Sequence, residues 1–181
     1  MALGATIYVF VVRLADADRS LYETLNVRLA RHPSETAEFM VTRLLAYCLE
    51  YTQGLVFSKG LSEPDESALF VRDLTGVLEH AIEVGTPEAP RLHKLSKAAA
   101  KVSVYVHRDA QAWLQRLAGE RIHRAADIAV HLIDRDLIVS LAAVLDRRMD
   151  FDLSIAERHL YLTLADRSLE GAVVTRALAQ T

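Results

Sequence analysis

Pro64-Asp65-Glu66-Ser67-Ala68-Leu69-Phe70-Val71-Arg72-Asp73-Leu74-Thr75-Gly76-Val77-Leu78-Glu79-His80-Ala81-Ile82-Glu83-Val84-Gly85 is the stretch whose reading decides the fold. Two apolar runs, Ala68 to Val71 and Val77 to Val84, flank Asp73-Leu74-Thr75-Gly76, and the Asp and Gly of that tetrapeptide suit a tight turn. A β-hairpin follows. Asp65 stands where its first strand begins and Glu83 near the far end of its second, places that are neighbours in an antiparallel pair.

Working outward, Leu55 to Leu61 reads as a short strand and Ser62 to Glu66 as a loop. Upstream, Pro33 suits a first helical turn, and Phe39, Met40, Arg43, Leu44, Tyr47 and Tyr51 recur at helical spacing, so a helix ending near Gly54 is expected. Ala5 to Leu14 is rich in β-branched and aromatic residues, and Tyr22 to Ala30 alternates with period two, which predicts an N-terminal hairpin. Downstream, Thr86 as N-cap with Pro87 at the first helical position predicts a helix ending near Lys101. The remaining pattern predicts a strand at 102–106, a helix at 109–117, a strand at 127–133 and a helix at 137–145. It closes with a terminal hairpin, 151–155 and 160–164, and a further strand near 172–177. The expectation is a single α/β (α+β) domain over residues 1–181, with a mixed sheet and hairpins at both ends and without repeats or linkers.

Composition narrows the function classes. No apolar run approaches the ~20 residues of a membrane-spanning helix, and the N-terminus has no secretory-signal pattern, so a cytoplasmic protein without a membrane partner is expected. The single cysteine, Cys48, cannot form an internal disulfide and lies in an apolar run that reads as core. A net charge of -3 argues against coating nucleic acid over most of the surface, although basic residues cluster at 91–101 and again at 116–124. No GxxxxGK[ST] or GxGxxG loop occurs, which argues against a nucleotide or other organic cofactor. Ser34 and Ser62 have no His partner visible in sequence. His32 reads as a residue bonded to backbone at a helix start, with Arg31 pairing Glu35. The histidines at 80, 93, 107, 123, 131 and 159 form no zinc spacing with Cys48.

The acids carry the chemistry. Asp65 or Glu66 brought beside Glu83 would offer oxygen ligands to Mg²⁺ or Mn²⁺, hard cations that retain coordination positions for water and phosphate. Carboxylates crowded in this way are expected to hold protons more tightly than usual. The helix-strand-strand-strand-helix-strand order from Pro33 to Val106 resembles the αβββαβ core of PD-(D/E)XK nucleases, restriction-endonuclease-like proteins. More specifically, Arg31-His32-Pro33-Ser34-Glu35-Thr36, Arg43-Leu44-Leu45-Ala46, Gly60-Leu61-Ser62, Asp65-Glu66, and Ile82-Glu83-Val84-Gly85 with Pro87 and Arg91 resemble the successive signature blocks of the YaeQ family. The resemblance implies a variant nuclease-like fold and an acidic cluster of Glu35, Asp65, Glu66 and Glu83, with Asp65, Glu66 and Glu83 holding the metal.

The sequence departs from the nuclease motif at Gly85, where Lys is expected. The missing cation would have to come from Lys59, Lys94 or Lys97, while Arg91 would hold a phosphate of the substrate. Two functions follow as expectations. One is metal-dependent hydrolysis of DNA or RNA; the other is a non-catalytic nucleic-acid-associated or regulatory binding module on the same scaffold.

Overall fold

In chain order the elements are β1 (Thr6–Asp16), β2 (Leu21–Arg31), α1 (Ala37–Glu50), β3 (Val56–Phe57), β4 (Leu69–Arg72), β5 (Leu78–Val84), α2 (Ala89–Ala98), β6 (Lys101–Val106), α3 (Ala110–Leu117), β7 (Ala129–Ile133), α4 (Arg135–Ala143), β8 (Arg148–Ala156), β9 (His159–Thr163) and β10 (Ser168–Ala177). This computed structural model describes residues 4–59 and 64–178. The chain divides into two compact units, residues 1–44 with 133–174, and residues 45–132 with 175–181. The Gly60-Leu61-Ser62 block, the end of the strand expected to reach Leu61 and the first residues of the expected loop lie outside the described residues.

The first unit is built on the strand order β2-β1-β8-β9-β10. β1 and β2 pair antiparallel without interruption from Thr6↔Arg31 to Asp16↔Leu21. Their period-two pattern buries Phe10, Val12 and Leu14 beside Leu25, Val27 and Leu29. β8 lies parallel to β1, so the sheet is mixed, and β8 turns into β9 through Glu157 and Arg158. Both turn residues have positive φ (52° and 57°), a conformation that ordinarily favours Gly or Asn. Here the Asp18 carboxylate accepts the backbone N–H groups of Glu157 (2.7 Å) and Arg158 (2.9 Å), which holds the turn in place. Those two backbone bonds, Arg158 first, hold the Asp18 carboxyl below the usual carboxylate range. Asp134 caps α4 by accepting from the N–H groups of Asp136 (2.8 Å) and Leu137 (3.5 Å).

The second unit has the order β7-β6-β5-β4-β3, with β5, β6 and β7 parallel and β3, β4 and β5 antiparallel. The hairpin read from the sequence is β4–β5, and Asp73 organises its turn by accepting from Thr75 N and Oγ1 and from Val77 N. Gly76 takes φ 88°, which explains why Gly stands there. One face of this sheet carries Ala81, Val102, Val104 and Val106, which cluster with Leu92 and Leu95 of α2, with Ala99 just after it and with Trp113 of α3. By alternation, the other face carries His80 and Ile82 of β5, Ser103 and Tyr105 of β6, and His131 of β7. Cys48 is fully buried.

Several boundaries correct the sequence reading: α1 runs Ala37–Glu50, so Pro33 precedes it and it ends before Gly54, and β10 begins at Ser168. Among the described residues, the strand expected from Leu55 pairs over Val56–Phe57 alone. α2 starts two residues later than predicted: its N-cap is Glu88, with Pro90 rather than Pro87 in the first turn. Pro87 is held ahead of the helix because its carbonyl accepts the Trp113 indole N–H at 2.8 Å. Lys101 belongs to β6, where it pairs in register with His80. Among the described residues no helix is long and apolar enough to cross a membrane.

Candidate functional site

Glu83 shares the buried face of β5 with Ala81 and is only 6% exposed. Burying a carboxylate without a partner is costly, and its partner is Arg91 on the first turns of α2. Arg91 Nε donates to Glu83 Oε2 at 2.7 Å and Nη2 to Oε1 at 2.8 Å, a bidentate pair. The same guanidinium donates through Nη1 to the Pro64 carbonyl and through Nη2 to the Glu66 carbonyl, both at 2.8 Å. Its hydrogen bonds to Glu83 raise the already high Arg91 pKa. Arg91 is thus a clamp that ties the 64–66 segment to β5.

One turn further along α2, Lys94 Nζ donates to Asp65 Oδ1 at 2.9 Å, with both side chains open to solvent. The Lys94 hydrogen bond holds the Asp65 carboxyl below its usual range, which corrects the expectation that crowding raises it. The nearest partners of Asp65 and Glu83 are cations rather than other acids.

The other residues singled out in the sequence are placed as follows. Glu66 gives its backbone carbonyl to Arg91. Lys97 is exposed in the last turn of α2, and Lys59 is exposed just after β3. Glu35 lies in the first unit, where its carboxylate accepts Arg43 Nε at 2.8 Å and the His32 N–H at 3.3 Å. Arg31 reaches the backbone carbonyl of Glu35 (2.9 Å), not its carboxylate. His32 Nδ1 accepts the Ser34 N–H at 3.1 Å and lies 2.7 Å from Ser34 Oγ, so that serine does meet a histidine, within an exposed turn before α1.

No three His, Cys, Asp or Glu side chains among the described residues are placed to hold a metal ion. Both oxygens of Glu83 are taken by Arg91. As placed, the Glu83 carboxylate serves Arg91, and a divalent ion there would compete with that pair.

The two basic stretches noted in the sequence are joined in the fold. The His123 N–H donates to His93 Nδ1 on α2 at 3.3 Å, and the two rings meet edge to face at 6.4 Å. Arg124 Nη2 donates to the Ser96 and Ala99 carbonyls at the end of α2, at 2.5 and 2.7 Å. Helix C-terminal carbonyls lack intrahelical donors, and the Arg124 cation suits that end of the helix. Residues 121–124 are thereby pinned to α2, which presents the exposed Lys94, Lys97, Arg121 and His123 on one helix and its attached segment.

Sequence reasoning missed a buried polar cluster at the C-terminus of α1. Tyr105 Oη donates to Glu50 Oε1 at 2.9 Å, Lys101 Nζ donates to Oε2 at 3.3 Å, and His131 Nε2 lies 3.5 Å from Oε1. His131 Nδ1 bonds Thr175 Oγ1 at 2.8 Å, and His80 Nε2 bonds Ser103 Oγ at 2.9 Å. Burial acts to raise the Glu50 pKa, but Lys101, His80, His131 and the Tyr105 hydroxyl together leave it lowered. Burial pushes His80 down to about 4. The Ser103–His80 pair has the atoms of a nucleophile and base, yet Ser103 is fully buried and no substrate can reach it. The available signal was period two: it places His80 and His131 on the buried rows of their strands.

The chain matches the family model described as YaeQ protein over residues 1–173. Relatives carrying the name "Uncharacterized protein YaeQ" from Salmonella typhi and Escherichia coli K12 are 35% and 34% identical over 172 residues, covering 94% of each chain. The crystal structure of YaeQ from Xanthomonas axonopodis pv. citri aligns with a TM-score of 0.89 at 30% identity, over 96% of this chain and 98% of that one. That of YaeQ from Pseudomonas syringae aligns with a TM-score of 0.87 at 32% identity, over 98% and 97%.

Proposed function

The chain belongs to the YaeQ family, and we propose that it is a non-catalytic nucleic-acid-binding module on a nuclease-like scaffold. The observation that carries this reading is the pinning of residues 121–124 to α2, which collects Lys94, Lys97, Arg121 and His123 from two separate basic stretches. Basic side chains held on a helix and its attached segment suit a phosphate backbone, and the whole chain's net charge of -3 discourages wider coating. Glu83 and Arg91 then act in support: their bidentate pair fixes the 64–66 segment, and Asp65 in turn orients Lys94.

The nuclease alternative draws on a different observation, the convergence of Glu83 and the segment bearing Asp65 and Glu66 on one guanidinium. Positive charge is demanded at that point. A divalent ion would have to displace Arg91 to supply it.

The test is fluorescence anisotropy with labelled 20-nucleotide single- and double-stranded DNA and RNA over a series of salt concentrations. About three phosphate contacts predict a slope of log K against log salt of roughly -2 to -3. Lys97→Glu with Arg121→Glu should remove most of the binding while circular dichroism stays unchanged. Absence of binding at low salt, or binding indifferent to the charge reversal, refutes the module. Cleavage in Mg²⁺ or Mn²⁺ by wild type, lost in a folded Glu83→Gln variant, replaces it with the nuclease reading.

A further inference from the structure

Beside α3 the second unit contains a cavity of about 840 Å³. That size falls among the roughly 300–1,000 Å³ of small-molecule sites. Its walls are aliphatic: Leu114 and Leu117 from α3, Ile122 from the segment after it, Leu132 from β7, and Leu178 beyond β10. Among the described residues no aromatic side chain lines it, so a planar base or ring would find no stacking partner among them. Arg176, near the end of β10, reaches the same cavity. Its Nε is buried and has no hydrogen-bond partner among the described residues. A guanidinium stays charged at any physiological pH, so Arg176 brings a positive charge to the cavity wall.

We propose that this cavity binds a small amphipathic monoanion, an aliphatic carboxylate of medium chain length, with the carboxylate on Arg176 and the chain against the leucines. The argument is charge and shape complementarity. The cavity offers one cation and an apolar surface, and Gln111 and Gln115 add uncharged amides that can orient the head group. Glu120 also lines it, and its negative charge opposes every anion there, a dianionic phosphate or a nucleotide more strongly than the single charge of a carboxylate. The cavity shares the 120–125 segment with the proposed nucleic-acid surface but uses different side chains, Glu120 and Ile122 rather than Arg121 and His123, and does not rest on that reading.

Isothermal titration calorimetry with decanoate below its micelle concentration tests the proposal, with decanol and acetate as the probes that lack the charge and the chain. Wild type should bind decanoate more tightly than either. Arg176→Gln should weaken decanoate about tenfold or more, the scale of a charge-assisted contact, and leave decanol unchanged. It should melt no lower than wild type, because it removes an uncompensated donor. Ala118→Trp places a bulky ring in the cavity from the exposed end of α3, where the backbone (φ −61°, ψ 125°) accepts any L residue, and should abolish both. Undetectable decanoate binding, or equal affinity for decanoate and decanol, overturns the proposal. So does decanoate binding that persists in Ala118→Trp, and this arm decides the matter if Arg176→Gln fails to fold.

Discussion

Replacing Arg91 with Gln is the most informative perturbation of the Glu83 site. It removes four hydrogen bonds at once, two to a carboxylate whose side chain is 8% exposed and two to the carbonyls of Pro64 and Glu66. Breaking a buried ion pair from one side costs about 3–5 kcal/mol because the remaining charge is stranded. The Arg91 side chain keeps 31% of its exposure, so water relieves part of that loss and the expected destabilisation is about 2–4 kcal/mol. Glu83→Gln should cost about 1–2 kcal/mol, since an amide still accepts one Arg91 donor. In the double variant neither charge is stranded, so its loss should fall short of the sum, leaving a coupling of about 1–3 kcal/mol. Urea denaturation of the four proteins measures this, with m-values checked for constancy. A coupling below about 0.5 kcal/mol would refute the clamp and return Glu83 to the role of an available ligand.

Further consequences can be measured on the same protein. His80 titrates at about 4 in the folded state and at about 6.5 unfolded. The unfolded chain therefore takes up its proton first, and stability that is complete above about pH 6.5 should decline toward pH 4 by on the order of 2–3 kcal/mol. A His80→Gln variant should show a shallower decline in pH-dependent denaturation, and an unchanged slope would assign the acid lability to other groups. Gly171→Ala should lower the melting temperature, because a Cβ at that strand position would sit 2.8 Å from Leu137 Cβ and 2.9 Å from Asp134 Cβ. Overpacking of this kind costs about 1–3 kcal/mol, and differential scanning calorimetry that shows no drop would contradict this close approach of β10 to the start of α4.

Much of the architecture was legible without coordinates because it rests on local periodicity. The alternation in Tyr22 to Ala30 is the buried row of β2, and Asp73 with Gly76 makes the turn of the β4–β5 hairpin. Cys48 is in the core, as its apolar neighbours indicated. The signature blocks from Arg31 to Arg91 sufficed for the family. These features depend on a few adjacent residues and on side-chain direction, which the chain itself encodes.

Partnership between charges was decided by the tertiary structure. Arg91 reads equally well as a phosphate ligand until the fold sets its guanidinium against Glu83 and against carbonyls 25 and 27 residues upstream. Glu50 reads as the polar end of a helix until Tyr105, 55 positions on, delivers a hydroxyl to it. Arg176 and the leucines of the α3 cavity come from segments far apart in sequence, so neither the cavity nor its unpaired donor has any local signature. The physical reason is range. Backbone propensity acts over a few residues, whereas an ion pair or hydrogen bond forms within about 3 Å, a distance set only once distant elements have packed.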